Sequence, residues 1–267
     1  MKGQSSRRNG EESRVRLVPL KGNSFRFRCH KEIDCFTKCC AQLNLVLTPY
    51  DILRLKKRLG MSSGEFLNQY TETRIEGRSR FPTVMLKMKE EDGKVCPFVS
   101  PDGCTVYEDR PSACRIYPIG RGTLKPDRER ETRVKFFLVK EEHCLGFEEH
   151  REWTIEQWMA DQGLSEYNTM NDEWSEIVTS TRSLGPAQVI ERKLRMFSMA
   201  SYNLDKFREF IFKSRFFELF EIPQEEKERL AADDLSLLQF STRWLKFSLF
   251  GEKTIMIKKS RASAGLD

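Results

Sequence analysis

Two rhythms of apolar and polar residues run along this chain, and the change between them falls near Phe147. Before it, apolar residues come in short runs of period two or of no period; after it they recur at helical spacing. Thr48-Pro49-Tyr50-Asp51 predicts a helix start, with a capping hydroxyl, a proline at the first helical position and an acid in the first turn. Ile52, Leu53, Leu55 and Leu59 give that helix an apolar side, and Gly60 ends it. Ser62 and Glu65 stand at capping-box spacing ahead of Phe66, Leu67 and Tyr70, which predicts a second, short helix. Thr83 to Glu90 alternates, with Val84, Leu86 and Met88 on one side. Asp92-Gly93 and then Val95 to Val99 follow, which predicts a hairpin closed by that turn.

Thr105 to Tyr107 reads as a further extended piece, and Asp109 to Ser112 as a cap leading into a helical turn that carries Cys114. Residues 121–130 read as a polar loop, and Thr132 to Lys140 as a strand with Val134, Phe136 and Leu138 on one face. Beyond Phe147 only helices are predicted. Thr154 and Gln157 form a capping-box pair before Trp158, Asn171 is placed to cap a helix through Ile177 and Val178, and Pro186 starts one running to about Met199. Leu204 to Phe220 and Leu235 to Phe250 are apolar around more than a narrow stripe. That predicts packing between other elements, with the phenylalanines read as helical core or docking face rather than as a cofactor box.

Composition changes this picture mainly at the N-terminus. A chain of 267 residues can bury a core without covalent staples, so disulfides are optional. Residues 1–24 are Ser, Arg, Gly and Glu with few apolar groups, and are expected to be a disordered basic tail. The net charge of +6 sits at this end: residues 1–28 hold eight Lys or Arg and two Glu, and the remainder holds 38 of each sign. A neutral body with a basic arm lacks the basic face of a dedicated nucleic-acid domain, so nucleic acid is not an expected partner. No stretch approaches the roughly 20 apolar residues of a membrane-spanning helix, and no apolar leader opens the sequence. No membrane partner is expected, and the expected location is a reducing cytoplasm. There is no internal repeat, Gly-rich phosphate loop or nucleophile elbow.

The chemistry is concentrated in eight cysteines: Cys29, Cys35, Cys39, Cys40, Cys96, Cys104, Cys114 and Cys144. In a reducing compartment, clustered cysteines serve as metal ligands or redox groups more often than as bridges. A thiolate is a soft ligand, so such a site selects zinc, copper(I) or iron in iron-sulfur form over magnesium or calcium. Tetrahedral sulfur ligation takes four donors, so eight thiols suit two centres, or a cluster plus a mononuclear site. The adjacent Cys39 and Cys40 point in different directions unless the backbone is distorted. They therefore serve two centres, or a bridged polynuclear one, more easily than two corners of one tetrahedron.

The turn from Ser100 to Gly103 can fold Cys104 back towards Cys96, with backbone N–H groups near Gly103 able to support a thiolate. Arg110 and Arg115 flank Cys114, and either offset thiolate charge or pair with Glu108 and Asp109. His30 and His143 each neighbour a cysteine, and either complete a site or stand beside it. Cys29 is either a ligand or a labile, redox-active thiol.

The Cys39-Cys40 pair, the Thr48-Pro49-x-Asp51 helix start and above all the run CPFVSPDGCTVYEDRPSACRIYP from Cys96 to Pro118 resemble one known family. Cys144 in a Cys-x-Gly context completes the likeness, which is to the YkgJ-like cysteine-cluster family, known by its CxxCxxCC motif, over roughly residues 25–150. Here five residues separate Cys29 from Cys35 and three separate Cys35 from Cys39, where the motif has two in each gap. The resemblance implies chelation of zinc or iron, an iron-sulfur cluster included, with the eight cysteines as metal ligands and no catalytic residue named. Residues 25–150 are then a metal-binding domain and residues 151–267 a helical region. The expected fold class is α+β and mainly helical, a loop-rich cysteine-cluster region with a small antiparallel hairpin followed by an all-α C-terminal half.

Three functions are open at this point. One is a cytoplasmic metal- or cluster-binding protein that handles or senses zinc or iron. A second is an S-adenosylmethionine-dependent enzyme, since flagellin lysine-N-methylases are similar in carrying this cysteine cluster, although no glycine-rich adenosylmethionine loop is recognisable. The third is a zinc-stabilised module whose C-terminal helices bind a protein partner.

Overall fold

The computed structural model describes residues 15–75, 80–90, 93–124 and 133–258. In chain order it forms strands β1 (Val15–Pro19) and β2 (Ser24–Arg26), helices α1 (Pro49–Leu59) and α2 (Ser63–Tyr70), and strands β3 (Thr71–Arg74) and β4 (Thr83–Leu86). There follow β5 (Val99–Ser100), β6 (Gly103–Cys104), α3 (Ser112–Ile116), β7 (Ile119–Leu124), β8 (Arg133–Glu141) and β9 (Glu152–Thr154). The rest is helical: α4 (Ile155–Asp161), α5 (Leu164–Val178), α6 (Ala187–Tyr202), α7 (Leu204–Lys213), α8 (Phe216–Leu219), α9 (Gln224–Ala232) and α10 (Asp234–Phe250). The fold is α+β and mainly helical, with small antiparallel sheets, as expected. No helix among the described residues is long and apolar enough to cross a membrane. Two compact units emerge, one of Met1–Cys39 and Ile116–Gln162, the other of Cys40–Arg115 and Gly163–Asp267.

In the first unit an antiparallel sheet has the order β1-β8-β7, and β2 pairs with β9. Strand β1 lies in the span expected to be a disordered tail; Val15 and Leu17 stay exposed, but the ladder to β8 satisfies the backbone groups that face it. The expected polar loop opens with β7, which pairs along β8 from Ile119↔Leu138 to Leu124↔Arg133, and residues 125–130 lie outside the described residues. The core is aromatic: Phe25, Phe27, Ile119, Trp153, Ile155 and Trp158 are buried together. Trp158 meets Phe27 edge to face at 5.7 Å and Trp153 at 5.1 Å. The two indole N–H groups donate to Phe27 O at 2.9 Å and Ile116 O at 3.0 Å. Strand β9 interrupts the expected run of helices, and the predicted Thr154–Gln157 capping box starts α4 directly after it.

In the second unit α1 and α2 start where the sequence predicts. Thr48 Oγ1 accepts from the Asp51 N–H and Asp51 Oδ2 from the Thr48 N–H; Ser62 and Glu65 repeat the exchange. Gly60 closes α1 in the left-handed region at φ 65°. The turn expected at Asp92-Gly93 lies in part outside the described residues, and across it Lys89 N–H donates to Val95 O at 2.9 Å. Strand β4 pairs with β3 on one edge, while residues 45–47 take the other through Leu47 N–H to Val84 O and Leu86 N–H to Leu45 O, each 2.9 Å. With both edges filled and Val84, Met85 and Leu86 all buried, the alternating stretch is a covered strand. A further small hairpin is β5–β6, across Ser100 to Gly103.

Asn171 lies inside α5, which begins earlier, behind a left-handed Gly163, and so caps nothing. The phenylalanine-rich segments are core. Phe197, Phe207 and Phe240 are fully buried, Phe81 stacks on Phe197 at 4.4 Å, and Phe216 meets Trp244 at 5.0 Å. Each such ring contributes roughly 2–3 kcal/mol by burial.

Candidate metal centre

All eight cysteines are present as thiols, and each unit carries four of them. The first unit holds Cys29, Cys35, Cys39 and Cys144, drawn together by backbone contacts. Arg28 N–H donates to Gly146 O at 3.0 Å, Leu145 N–H to Cys35 Sγ at 3.3 Å, and Lys38 N–H to Cys35 O at 3.0 Å. Gly146 permits this approach, since a Cβ there would stand 2.6 Å from the Phe27 ring and 3.0 Å from Arg28 O. The Cys-x-Gly context therefore has a steric cause. The adjacent pair sits in a 3₁₀ turn, Lys38–Cys40, with left-handed residues on both sides, Thr37 at φ 65° and Gln42 at φ 54°.

Cys35 is buried and Cys39 and Cys144 are half-buried. Cys29 is exposed as a residue, yet burial of its thiol side and the neighbouring thiols of Cys39, Cys35 and Cys144 push it up to about 11. Those neighbouring sulfurs disfavour the Cys29 thiolate. Their effect places Cys29 near the other three. The Cys144 thiol is raised by burial, against which the Tyr117 hydroxyl and the Gly146 N–H act. Tyr117 itself is pushed far up by burial and then by Cys144, and its buried hydroxyl has no partner in ordinary hydrogen-bond geometry. Sequence reasoning passes over Tyr117; its signal is its position within the run from Cys114 to Pro118.

The histidines turn to carboxylates. His30 faces Glu32 at 2.9 Å through Nδ1 and Glu149 at 3.4 Å through Nε2, and His143 Nε2 faces Glu141 at 3.5 Å. They flank the thiol set with acids as their neighbours.

The second unit holds Cys40, Cys96, Cys104 and Cys114. Cys96 N–H donates to Cys40 O at 2.7 Å, and Gln42 N–H to Lys94 O at 2.8 Å extends this ladder. In the hairpin, Val99 pairs with Cys104 and returns the second thiol towards the first. Burial raises the Cys96 thiol, with Cys104 adding to the rise and the N–H groups of Phe98 and Val99 opposing it. Burial also raises Cys104, opposed by the Val106 N–H and by the Arg110 guanidinium. The backbone support thus comes from residues 98, 99 and 106.

Cys114 rides on α3 and is exposed. Asp51 anchors that helix. Its fully buried carboxylate accepts the Ser112 N–H at 2.8 Å and the Ser112 hydroxyl at 3.1 Å, besides the Thr48 N–H at 2.9 Å. One group therefore ties two helix starts together, which is the structural content of Thr48-Pro49-x-Asp51. Arg110 and Arg115 are buried; Arg110 donates to Tyr107 O at 2.6 Å, and Arg115 to Glu108 O at 2.5 Å while lying over the Tyr167 ring at 4.7 Å. Asp109 is held by Arg54 at 2.7 Å.

Among the described residues, no group of three or more Cys, His, Asp or Glu side chains is placed so that it could hold a metal ion. The donor chemistry nevertheless fits a soft metal ion. Cys39, Cys35 and Cys144 disfavour the Cys29 thiolate, and a bound cation would offset that effect as the thiols ionise. No curated protein and no solved structure matches the chain. Residues 28–153, the span that holds all eight cysteines, match the CxxCxxCC family model, described as "Putative zinc- or iron-chelating domain".

Proposed function

We propose that this protein binds zinc or iron through its clustered cysteines, which act as thiolate ligands. The supporting observation is that the Cys144 segment, far from Cys35 in sequence, is held against it by Leu145 N–H to Cys35 Sγ at 3.3 Å, and that Cys39, Cys35 and Cys144 lie near enough to Cys29 to disfavour its ionisation. Four thiolates suit tetrahedral zinc, and also iron within an iron-sulfur cluster. The Gly146 N–H and the Tyr117 hydroxyl are placed to support the Cys144 thiolate, the kind of outer contact that holds ligands in orientation. A reducing compartment such as the cytoplasm is the setting in which such a thiol set persists.

Elemental analysis and the visible spectrum of anaerobically purified protein test the reading. Broad absorbance near roughly 400 nm with iron and labile sulfide indicates a cluster, and colourless protein with stoichiometric zinc a zinc site. Protein that holds neither metal, as purified or after anaerobic reloading, overturns it. Cys39→Ser and Cys104→Ser are each expected to lose metal and to melt earlier. Full metal content and a normal melt in both variants would refute the ligand set.

A second reading, in which the helical region docks a protein partner, draws on the exposed Leu219, Met256 and Ile257. These lie where Glu221 N–H donates to Met256 O and Lys258 N–H to Leu219 O, each 2.9 Å. Calorimetry with S-adenosylmethionine separates both readings from an enzyme of the methylase kind, which a clean negative removes.

A further inference from the structure

The three-stranded sheet of the first unit ends on β1, and among the described residues no strand lies beyond it. We propose that the free edge of β1 is a docking site for an extended segment of a partner protein in which acidic and apolar residues alternate.

The backbone leaves that edge open. Val139 N–H donates to Pro118 O at 2.8 Å, so at Val139 the backbone groups of β8 turn towards β7 and away from β1. Opposite residues of an antiparallel pair turn these groups either both towards each other or both away. Leu17, which faces Val139, therefore turns its N–H and C=O to the free edge, and Val15, two residues before it, does the same. Pro19 offers its C=O alone there. Such a row of donors and acceptors is what a further strand adds to.

The side chains choose the strand. Val18 faces Leu138, which packs on the aromatic core, so Arg16 and Val18 lie on the core side of the sheet and Val15 and Leu17 on the outer side. Val15 is 51% and Leu17 64% exposed, and both call for apolar neighbours. Arg16 stands directly opposite Lys140, and like charges so placed repel. Glu142 meets Arg16 only at 3.7 Å, with both side chains largely in solvent. An incoming strand with a carboxylate beside Arg16 offsets the two cations, and alternation then sets its apolar residues beside Val15 and Leu17.

A second copy of the chain fits this edge less well. Pairing β1 with itself about Leu17 sets Leu17 against its twin, but it gathers two Arg16–Lys140 pairs in one sheet. Residues 1–28 carry eight Lys or Arg against two Glu in each copy, which adds to the repulsion. A short strand, an exposed arginine and a terminal proline are devices that keep edges from pairing indiscriminately, and here the arginine also selects for acid.

The test uses full-length protein and two blocked peptides of about seven residues, one alternating glutamate with valine and the other lysine with valine. Backbone amide exchange is read residue by residue by NMR. At a concentration about tenfold above its dissociation constant, the glutamate peptide should slow exchange of the Val15 and Leu17 N–H groups about tenfold. The Arg16 and Val18 N–H groups, which face β8, should stay as they were. The lysine peptide should slow none of them. Arg16→Glu should weaken binding of the glutamate peptide about fivefold and let the lysine peptide bind. The comparison of the two peptides on wild-type protein stands whether or not the variant folds. Three results overturn the proposal: no slowing with the glutamate peptide in excess, equal slowing by both peptides, or slowing at Val15 and Leu17 that grows with protein concentration alone, which would make a second copy the occupant.

Discussion

Cys144 is set by two neighbours of different kinds, one steric and one polar. Gly146 leaves room for the Phe27 ring and for Arg28 O, so Gly146→Ala pushes a methyl group into a buried aromatic and a backbone oxygen. Overpacking of this kind costs about 1–3 kcal/mol, and it should also separate Cys29 from Cys144. The expected outcome is a lower melting temperature and faster alkylation of Cys29 in the metal-loaded protein. Tyr117→Phe removes only the buried hydroxyl beside Cys144, so the fold should persist while metal affinity falls roughly tenfold in a chelator competition. Unchanged affinity would exclude the hydroxyl as a support. The cysteines themselves and the glycine after Cys144 are legible in the sequence. The tyrosine is not, because its role depends on which thiol the fold brings beside it.

Among the elements, the local signals are the ones the sequence states openly. The boxes at Thr48, Ser62 and Thr154 start α1, α2 and α4 because cap and partner lie three residues apart. Strand pairings are less legible, since β1 finds β8 and β4 finds residues 45–47 only through the long-range fold. Asn171 fails as a cap because α5 continues through it, with Tyr167 and Ile177 buried on either side. Asp51 does more than a local cap. Asp51→Ala removes the acceptor at both α1 and α3 and should cost about 2–4 kcal/mol by chemical denaturation, against about 1 kcal/mol for Thr48→Ala.

Helix α10 offers a test by pH. The Ser236 N–H holds the Asp233 carboxyl below its ordinary value of 3.8. A carboxyl depressed on folding stabilises the fold above its unfolded value, and that contribution is lost as pH falls through the folded one. Asp233→Ala should therefore be less stable than wild type by about 1 kcal/mol at neutral pH, with the two converging as pH falls below 3.8 and through the lower folded value.

Across the whole molecule, two kinds of stabilisation divide the work. The helical part of the second unit rests on fully buried rings and leucines such as Phe197, Phe207, Leu237, Phe240 and Leu245, with the buried Lys56 tied to Asp234 at 3.0 Å and Asp205 at 3.3 Å. The cysteine segments have short elements, and on the metal-binding proposal they take part of their stability from the bound ion. Chelator treatment should therefore speed amide exchange in residues 29–40, 94–105 and 144–147 while leaving α6, α7 and α10 protected, as read by mass spectrometry. Uniform loss of protection would contradict this division. The presence of a metal-binding segment is readable from eight clustered thiols. The approach of the Cys144 segment to the Cys29 segment is not, because it is made by long-range contacts such as Arg28 N–H to Gly146 O.

Thr37 bears on how fast a bound metal leaves. A β-branched residue held at φ 65° costs about 1–3 kcal/mol, and that cost is relieved whenever the Cys35–Cys39 loop lets go. The loop is thus biased towards opening, and on the metal-binding proposal this predicts a short residence time for the ion. Thr37→Asn, a residue better suited to that backbone, should raise the melting temperature of the metal-free protein by about 2–4 °C. In stopped-flow mixing with excess chelator it should also slow metal release. A release rate that does not change would mean that the loop is not what the departing ion waits for.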